Sequence, residues 1–245
     1  MLEPTLRPLG LDSPASAHRR HAVPSAAPDA LPDLLLIERA RGADETAIEA
    51  LIRRYSRRLF RVAHSVLADE ERSEAAVLEA YLAAFGDLSR YEPAGKFAAW
   101  LTRLAFNQAR ALRASGRPGL APATGQSDAT PEPGHSAAAA VDSRERGELE
   151  QAVVSLPPVF RTVYVLRVLE GVSGIETAAS LGLHETTVRT RLFRAHRRLG
   201  PETALRMRAV PAMLEPSSQA VDRIVRRARA QRSHGSMLTI SASAP

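Results

Sequence analysis

The segment from Ser173 to Leu199 constrains this chain most, because two helical patterns meet there across a glycine. Ser173 followed by Glu176 has capping-box spacing, in which a hydroxyl and a carboxylate each satisfy backbone N–H groups at a helix start. Ala178 and Ala179 are small and let a second helix cross closely. Gly182 can adopt the left-handed conformation that ends a helix, and Leu183 fills the corner. The spacing predicts one helix over Gly174–Leu181 and a second opening at Glu185. Val188, Leu192, Ala195 and Leu199 then share one face of the second helix. The whole unit, Leu169 to Leu199, reads as a helix-turn-helix.

The other face of that second helix carries Thr186, Arg189, Thr190, Arg194, Arg197 and Arg198, with Arg191 on the flank. From Glu185 to Leu199 there are five arginines and one acid. A recognition helix needs side chains near its N-terminus that reach base edges, and cations further along that hold phosphates. Thr186, Thr187 and Arg189 suit the first task and Arg191, Arg194 and Arg198 the second, with Glu185 and Thr190 completing the surface. A solvated helix in a bundle would also show a charge run. The small-residue crossing, the glycine corner and the basic second helix together point to duplex DNA.

The bulk numbers agree without deciding. The 245 residues carry a formal charge of +6 and a pI near 10.6, which favours an anionic partner. Lys96 is the only lysine. Arginine suits phosphate through its planar fork, although a GC-rich coding bias would enrich it equally. There is no cysteine, so disulfides and thiolate metal sites are excluded and a cytoplasmic location is expected. No apolar run approaches the roughly 18 residues of a membrane helix, and no membrane partner is expected.

Residues 1–30, rich in Pro, Ala and Ser, read as a disordered extension or as an early start codon. Residues 31–114 form a first helical block. Ile48, Leu51, Ile52, Tyr55, Leu59, Val62, Ala63 and Val66 keep helical spacing behind a candidate N-cap, Asp44, with Arg53, Arg54, Arg57, Arg58 and Arg61 between them. Val77, Leu78, Tyr81, Leu82 and Phe85 mark a second helix ending near Gly86. Phe97, Trp100, Leu101, Leu104, Ala105 and Leu112 mark a third, after a loop over 87–95. No segment alternates like a strand. Residues 115–143 have too few large apolar groups to offset their ordering entropy and read as a flexible linker, either a neutral spacer or a segment that orders on a partner. Residues 144–200 form the helix-turn-helix domain, in which Pro157-Pro158 stops one helix and another runs to Glu170. Residues 201–245 form a basic tail with a short helix around 221–232, solvated or docked on the second domain, an inhibitor or DNA. The fold class is all-α: two small helical domains and a linker.

At these residues the chain resembles the extracytoplasmic-function group of the bacterial RNA polymerase sigma factors. Leu156-Pro157-Pro158-Val159-Phe160-Arg161, Glu170-Gly171-Val172-Ser173, and Thr187 through Leu192 with Arg194-Ala195 are similar to that group's region 4, the promoter-reading domain. Glu79-Ala80-Tyr81-Leu82, Ala84-Phe85, and Trp100 through Ala105 with Asn107 are similar to its region 2. The resemblance implies core RNA polymerase and promoter DNA as partners, an anti-sigma factor as a possible further one, and no cofactor. It implies that the second domain reads the duplex minus-thirty-five element while the first captures the melted minus-ten strand. Tyr91, Lys96, Arg103, Asn107, Arg110 and Arg113 would hold that strand, since unstacked bases need stacking surfaces, hydrogen bonds and cations. Trp100, at helical spacing with Phe97 and Leu104, reads as core. Glu74, Ala75, Leu78, Glu79 and Leu82 would face the polymerase.

The pattern departs from the family at Ala75 and Leu78, where an acid and a glutamine are usual, and at Ala111, where an acid is usual. A regulator or degenerate paralogue that binds DNA without recruiting polymerase is the alternative. An enzyme is not expected: His64 with Glu74 lacks both metal-pair spacing and a third ligand, and no phosphate loop or nucleophile motif occurs. No catalytic residue and no metal site are assigned.

Overall fold

A computed structural model describes residues 31–88, 91, 96–116, 137–206, 214 and 216–241. The expected 1–30 extension and most of the 87–95 loop lie outside them. The described residues form helices and no strand. The first domain comprises α1 (Asp33–Arg41), α2 (Glu45–Leu67), α3 (Glu70–Gly86) and α4 (Phe97–Ala114). Asp44 caps α2, its carboxylate accepting from the amides of Thr46 and Ala47, and Asp69 caps α3 through the Arg72 amide. Between these two caps Ala68 takes the left-handed conformation (φ 52°), which turns the chain in two residues.

The helices cross closely because their contact faces alternate bulk with alanine. Leu51, Ile52 and Leu59 of α2 and Leu101 of α4 supply the volume. Ala76, Ala80 and Ala84 form a fully buried stripe on α3, facing a cluster that includes Ala105 and Ala109 of α4. Tyr81, also fully buried, donates its hydroxyl hydrogen to the Ile52 carbonyl at 2.9 Å, so its polar tip is satisfied.

The second domain comprises α5 (Ala137–Ser155), α6 (Pro158–Tyr164), a π turn (Val165–Leu169), α7 (Gly174–Leu181), α8 (Glu185–Leu199) and α9 (Pro201–Arg206). Two boundaries differ from expectation. Residues 137–143, read as linker, are the first turns of α5, because four consecutive alanines carry the strongest helix propensity. The helix after Pro158 widens into a π turn before Glu170 and Gly171 (φ +62°), where one continuous helix was expected.

The tail differs more. It holds α10 (Ser218–Ser241), a 24-residue helix packed along α2 and α3 of the first domain, none of the docking places anticipated. Ile224, Val225 and Ala228 complete the first domain's apolar cluster. The sequence pattern showed the apolar face but had no means to name the surface that receives it.

The two domains pack against each other. Val62 of α2 belongs to an apolar cluster otherwise made by Val163, Leu166, Val172, Ala178, Leu181 and Val188 of the second domain. Ser65 donates to the Thr162 hydroxyl at 2.8 Å. Arg61, buried, meets Glu170, 9% exposed, at 2.6 Å, and Arg58 meets Glu176 at 3.1 Å. Arg53, Arg54, Arg58 and Arg61 of the basic face read along α2 are therefore engaged in ion pairs within the chain: Arg54 holds Asp33 at 2.6 Å, and Arg53, on the exposed side, holds Glu49 and Asp222 at 2.9 and 3.1 Å.

Candidate nucleic-acid interface

α7 and α8 are set by local chemistry. The Ser173 hydroxyl accepts from the Glu176 amide at 3.2 Å, and Gly182 closes α7 in the left-handed conformation (φ 64°, ψ 42°). The Leu183 amide then bonds the Ala178 carbonyl at 2.9 Å, fixing the corner. A Cβ on Gly174 would stand 3.2 Å from the Glu185 carboxylate, so the absence of a side chain there lets the two helix starts approach. Val188 and Ala195 are buried and Leu192 is partly buried, which turns the opposite face of α8 outward.

On that outward face Glu185, Thr186, Arg189, Thr190, Arg194, Arg197 and Arg198 are exposed, and Thr187 is half-buried. Arg189 is 77% exposed and reaches Glu185 only at 3.7 Å, a contact too long and too solvated to hold it back from a base. The Thr190 hydroxyl donates to the Thr186 carbonyl at 2.9 Å, leaving its methyl and oxygen lone pairs outward. Arg194, Arg197 and Arg198 surround a hollow of about 430 Å³ floored by Phe160, with Arg198 stacked 5.6 Å over that ring. Three guanidinia around one hollow make a seat for a phosphate.

Phe193, which sequence reasoning passed over, is 62% exposed beside Arg197. Its signal was available: it falls off the Val188–Leu192–Ala195–Leu199 stripe, so its apolar ring cannot reach the core.

Arg191 departs from the row. Half-buried, it joins Arg110 and Arg113 of α4 around an interdomain cleft of about 360 Å³, whose apolar wall includes Val66, Phe106 and Leu181. Arg103, Asn107, Arg110 and Arg113 are exposed residues of α4. The Arg103 guanidinium lies 3.5 Å from where a Gly182 Cβ would stand, and Lys96 reaches Glu176 of α7 at 3.1 Å. The residues expected to hold single-stranded DNA therefore border the domain expected to read duplex.

Tyr91 is buried at 9% exposure, its ring 4.9 Å from Trp100 and 5.3 Å from Phe97. Burial raises its pKa, and in this conformation its ring packs among protein rings, edge-on with Phe97 and tilted against Trp100. Trp100 is half-buried in the same aromatic group.

The expected polymerase-facing residues lie on α3. Glu79 is exposed, and Ala75 and Leu82 are half-buried. Glu74 and Leu78 are buried at 7% and 8% exposure, and Glu74 is held by Arg223 of α10. Among the described residues no cluster of His, Asp and Glu could hold a metal, and no helix is long and apolar enough to cross a membrane.

Residues 51–117 match the family model for Sigma-70 region 2 and residues 146–199 that for Sigma-70, region 4. The chain is 30% identical over 173 residues to the RNA polymerase sigma-H factor of Pseudomonas aeruginosa, covering 66% of this chain and 89% of that one. It is 30% identical over 177 residues to the ECF RNA polymerase sigma-E factor of Escherichia coli, covering 67% and 91%. Against the ECF RNA polymerase sigma factor SigE of Mycolicibacterium smegmatis it is 31% identical over 153 residues, 62% of this chain, and spans 59% of the relative's length. Among solved structures, CnrH in complex with the cytosolic domain of CnrY superposes with a TM-score of 0.50 at 26% identity, over 68% of this chain and 94% of that one. The chain belongs to the extracytoplasmic-function group of the RNA polymerase sigma factors.

Proposed function

We propose that this chain directs core RNA polymerase to specific promoters and assists their opening, acting as an initiation factor and not as an enzyme, in the cytoplasm. The observation that carries the reading is the pairing, in one chain, of a region 2 bundle with a region 4 helix-turn-helix whose α8 exposes Arg189, Arg194, Arg197 and Arg198. In this reading Thr186, Thr187 and Arg189 meet base edges of the upstream element, with Glu185 and Thr190 beside them, while Arg194 and Arg198 hold phosphates. Arg103, Asn107, Arg110 and Arg113 with Lys96 take the melted strand, and Glu74, Ala75, Leu78, Glu79 and Leu82 meet the polymerase.

That work requires the domains to part. Arg191 and Arg113 line one cleft here, whereas upstream and downstream promoter elements about 25 base pairs apart lie about 85 Å apart along B-DNA at ~3.4 Å per pair. The closed form is then a resting state. An anti-sigma factor is the partner proposed to favour it, and CnrH, a structural neighbour, is likewise held by a protein partner, the cytosolic domain of CnrY.

Run-off transcription from genomic promoter fragments tests this. Core polymerase alone should give no defined transcripts, and adding the full chain should give a discrete set. Specific DNA binding without transcripts would instead support a regulator that does not recruit polymerase, a reading favoured by the covering of Glu74 and Leu78.

A further inference from the structure

Part of the surface of α3 assigned above to the polymerase, around Glu74 and Leu78, is already occupied. α10 lies along α2 and α3. Its stripe of Ala220, Ile224, Val225 and Ala228 is buried, Ile224 to 1% and Ala228 to 0% exposure. Ile224, Val225 and Ala228 belong to the same apolar cluster as Leu78.

Ion pairs fix the helix on both flanks. On the α3 side the Arg223 Nε donates to Glu74 at 3.0 Å, a second guanidinium nitrogen meets the other carboxylate oxygen, and Glu74 is buried beneath the pair. On the α2 side Asp222 meets Arg53 at 3.1 Å, and Arg229 meets Glu45 and Glu49 at 2.5 and 3.1 Å. Exposed pairs contribute little singly. The bidentate grip on a buried carboxylate beside a buried apolar stripe is a specific dock. A solvated tail would show neither. Leu78 and Ala75, apolar where the family pattern is polar, suit a face that spends its time under a helix.

We propose that α10 is a built-in occupant of the polymerase-binding face of α3, so that core polymerase and α10 compete for it. The inference rests on the assignment of that face given under the proposed function. Competition within one chain lowers apparent affinity by the fraction of molecules whose face is free, and covalent linkage keeps the competitor at high effective concentration. Displacement of α10 by polymerase would release Arg223 from Glu74 and Arg229 from Glu45 and Glu49.

The test uses two full-length variants. Ile224→Asp places a charge in the buried stripe, and Arg223→Glu sets like charge against Glu74 while leaving the stripe intact. Hydrogen exchange over residues 218–231 reports undocking, and protection of α2 and α4 reports that the first domain stays folded. Binding of N-terminally labelled protein to core polymerase is followed by fluorescence anisotropy. Both variants are expected to exchange rapidly over α10 and to bind core polymerase about tenfold more tightly than the unaltered chain, the gain for a face about 10% free. Undocked, folded variants that bind equally or more weakly overturn the inference while the functional reading stands. Absence of binding by the unaltered chain and both variants, under conditions where another sigma factor binds, overturns the functional reading and this inference with it.

Discussion

Arg161 is buried to 7% exposure because its guanidinium lies against the open end of α5. Pro157 and Pro158 stop that helix and leave carbonyls without amide partners. Arg161 donates to those of Val154 and Leu156, the latter at 2.9 and 3.2 Å. Burial first, and the charge of Arg113 second, push its pKa down, yet a guanidinium keeps its proton throughout the working range. Arg161→Met keeps the stem and removes the donors, so it should destabilise the chain by about 2–3 kcal/mol in urea unfolding, the scale of a lost charged hydrogen bond. Asp44 makes a simpler case. The Thr46 hydroxyl, with Arg39 and two backbone amides, holds its carboxyl at about 2 against the opposing effect of burial. A depressed carboxylate stabilises the fold above its unfolded value near 4, and that contribution is lost as pH falls from about 4 toward 2. Asp44→Ala should cost about 1 kcal/mol at neutral pH, and Asp44→Asn should flatten the stability loss between pH 4 and 2 while retaining an acceptor. Asp44 was legible in the sequence because a cap acts on its immediate neighbours. Arg61 was not: it sits in a run of arginines that reads as solvated, and its partner Glu170 is 109 residues away.

At the scale of elements, α7 and α8 were the most legible, for the same reason of locality. Cap, small-residue crossing, glycine corner and apolar stripe all lie within 27 residues, and each is fixed by backbone chemistry. α10 was only half legible. Its stripe showed amphipathicity, but the receiving face is built from α2 and α3, far earlier in the chain. The bounds of α5 were missed because composition alone made 137–143 look unstructured, although alanine runs extend helices once a folded core anchors one end. The proposed function divides the exposed arginines of α8 into two kinds, base-reading and phosphate-holding, and their substitution should separate them. Arg189, near the helix start and 77% exposed, is placed for base edges: Arg189→Ala should cost about 1–3 kcal/mol on the cognate upstream element and relax sequence choice there. Arg194, beside the Phe160 hollow, is placed for phosphate: Arg194→Ala should weaken cognate and random duplex alike and reduce the slope of log affinity against log salt by about one. Fluorescence anisotropy on both duplexes over a salt series measures both. Equal losses on the two duplexes for Arg189→Ala would count against its assignment.

At the scale of the whole molecule, the sequence read as two independent grips on a tether, and the structure instead joins them through α2, α4, α6 and α7. No local pattern could announce this, because Val62 and Val163 each look like ordinary residues of their own domain's core. The join is held at its centre by Arg61 and Glu170, whose side chains are 1% and 9% exposed. A pair so far from solvent is little screened by salt, and removing the Glu170 charge takes a counter-charge at 2.6 Å from a guanidinium only 1% exposed, at a cost of about 1.5–3 kcal/mol, the scale of a hydrogen bond to a charged group. Since domain parting would rehydrate Arg61, that cost falls on the closed form and not on the two separated domains. Glu170→Gln should therefore shift the chain toward an open form with each domain still folded. Small-angle scattering should show a larger radius of gyration, and hydrogen exchange should show protection retained within α2–α4 but lost where α6 and α7 face them. Arg58→Ala, at the more solvated edge of the join, should shift the same equilibrium less. If opening is what promoter reading requires, Glu170→Gln should also raise affinity for upstream-element duplex without altering its sequence preference. Scattering unchanged from the unaltered chain, in a variant of undiminished stability, would mean that this ion pair does not hold the domains together.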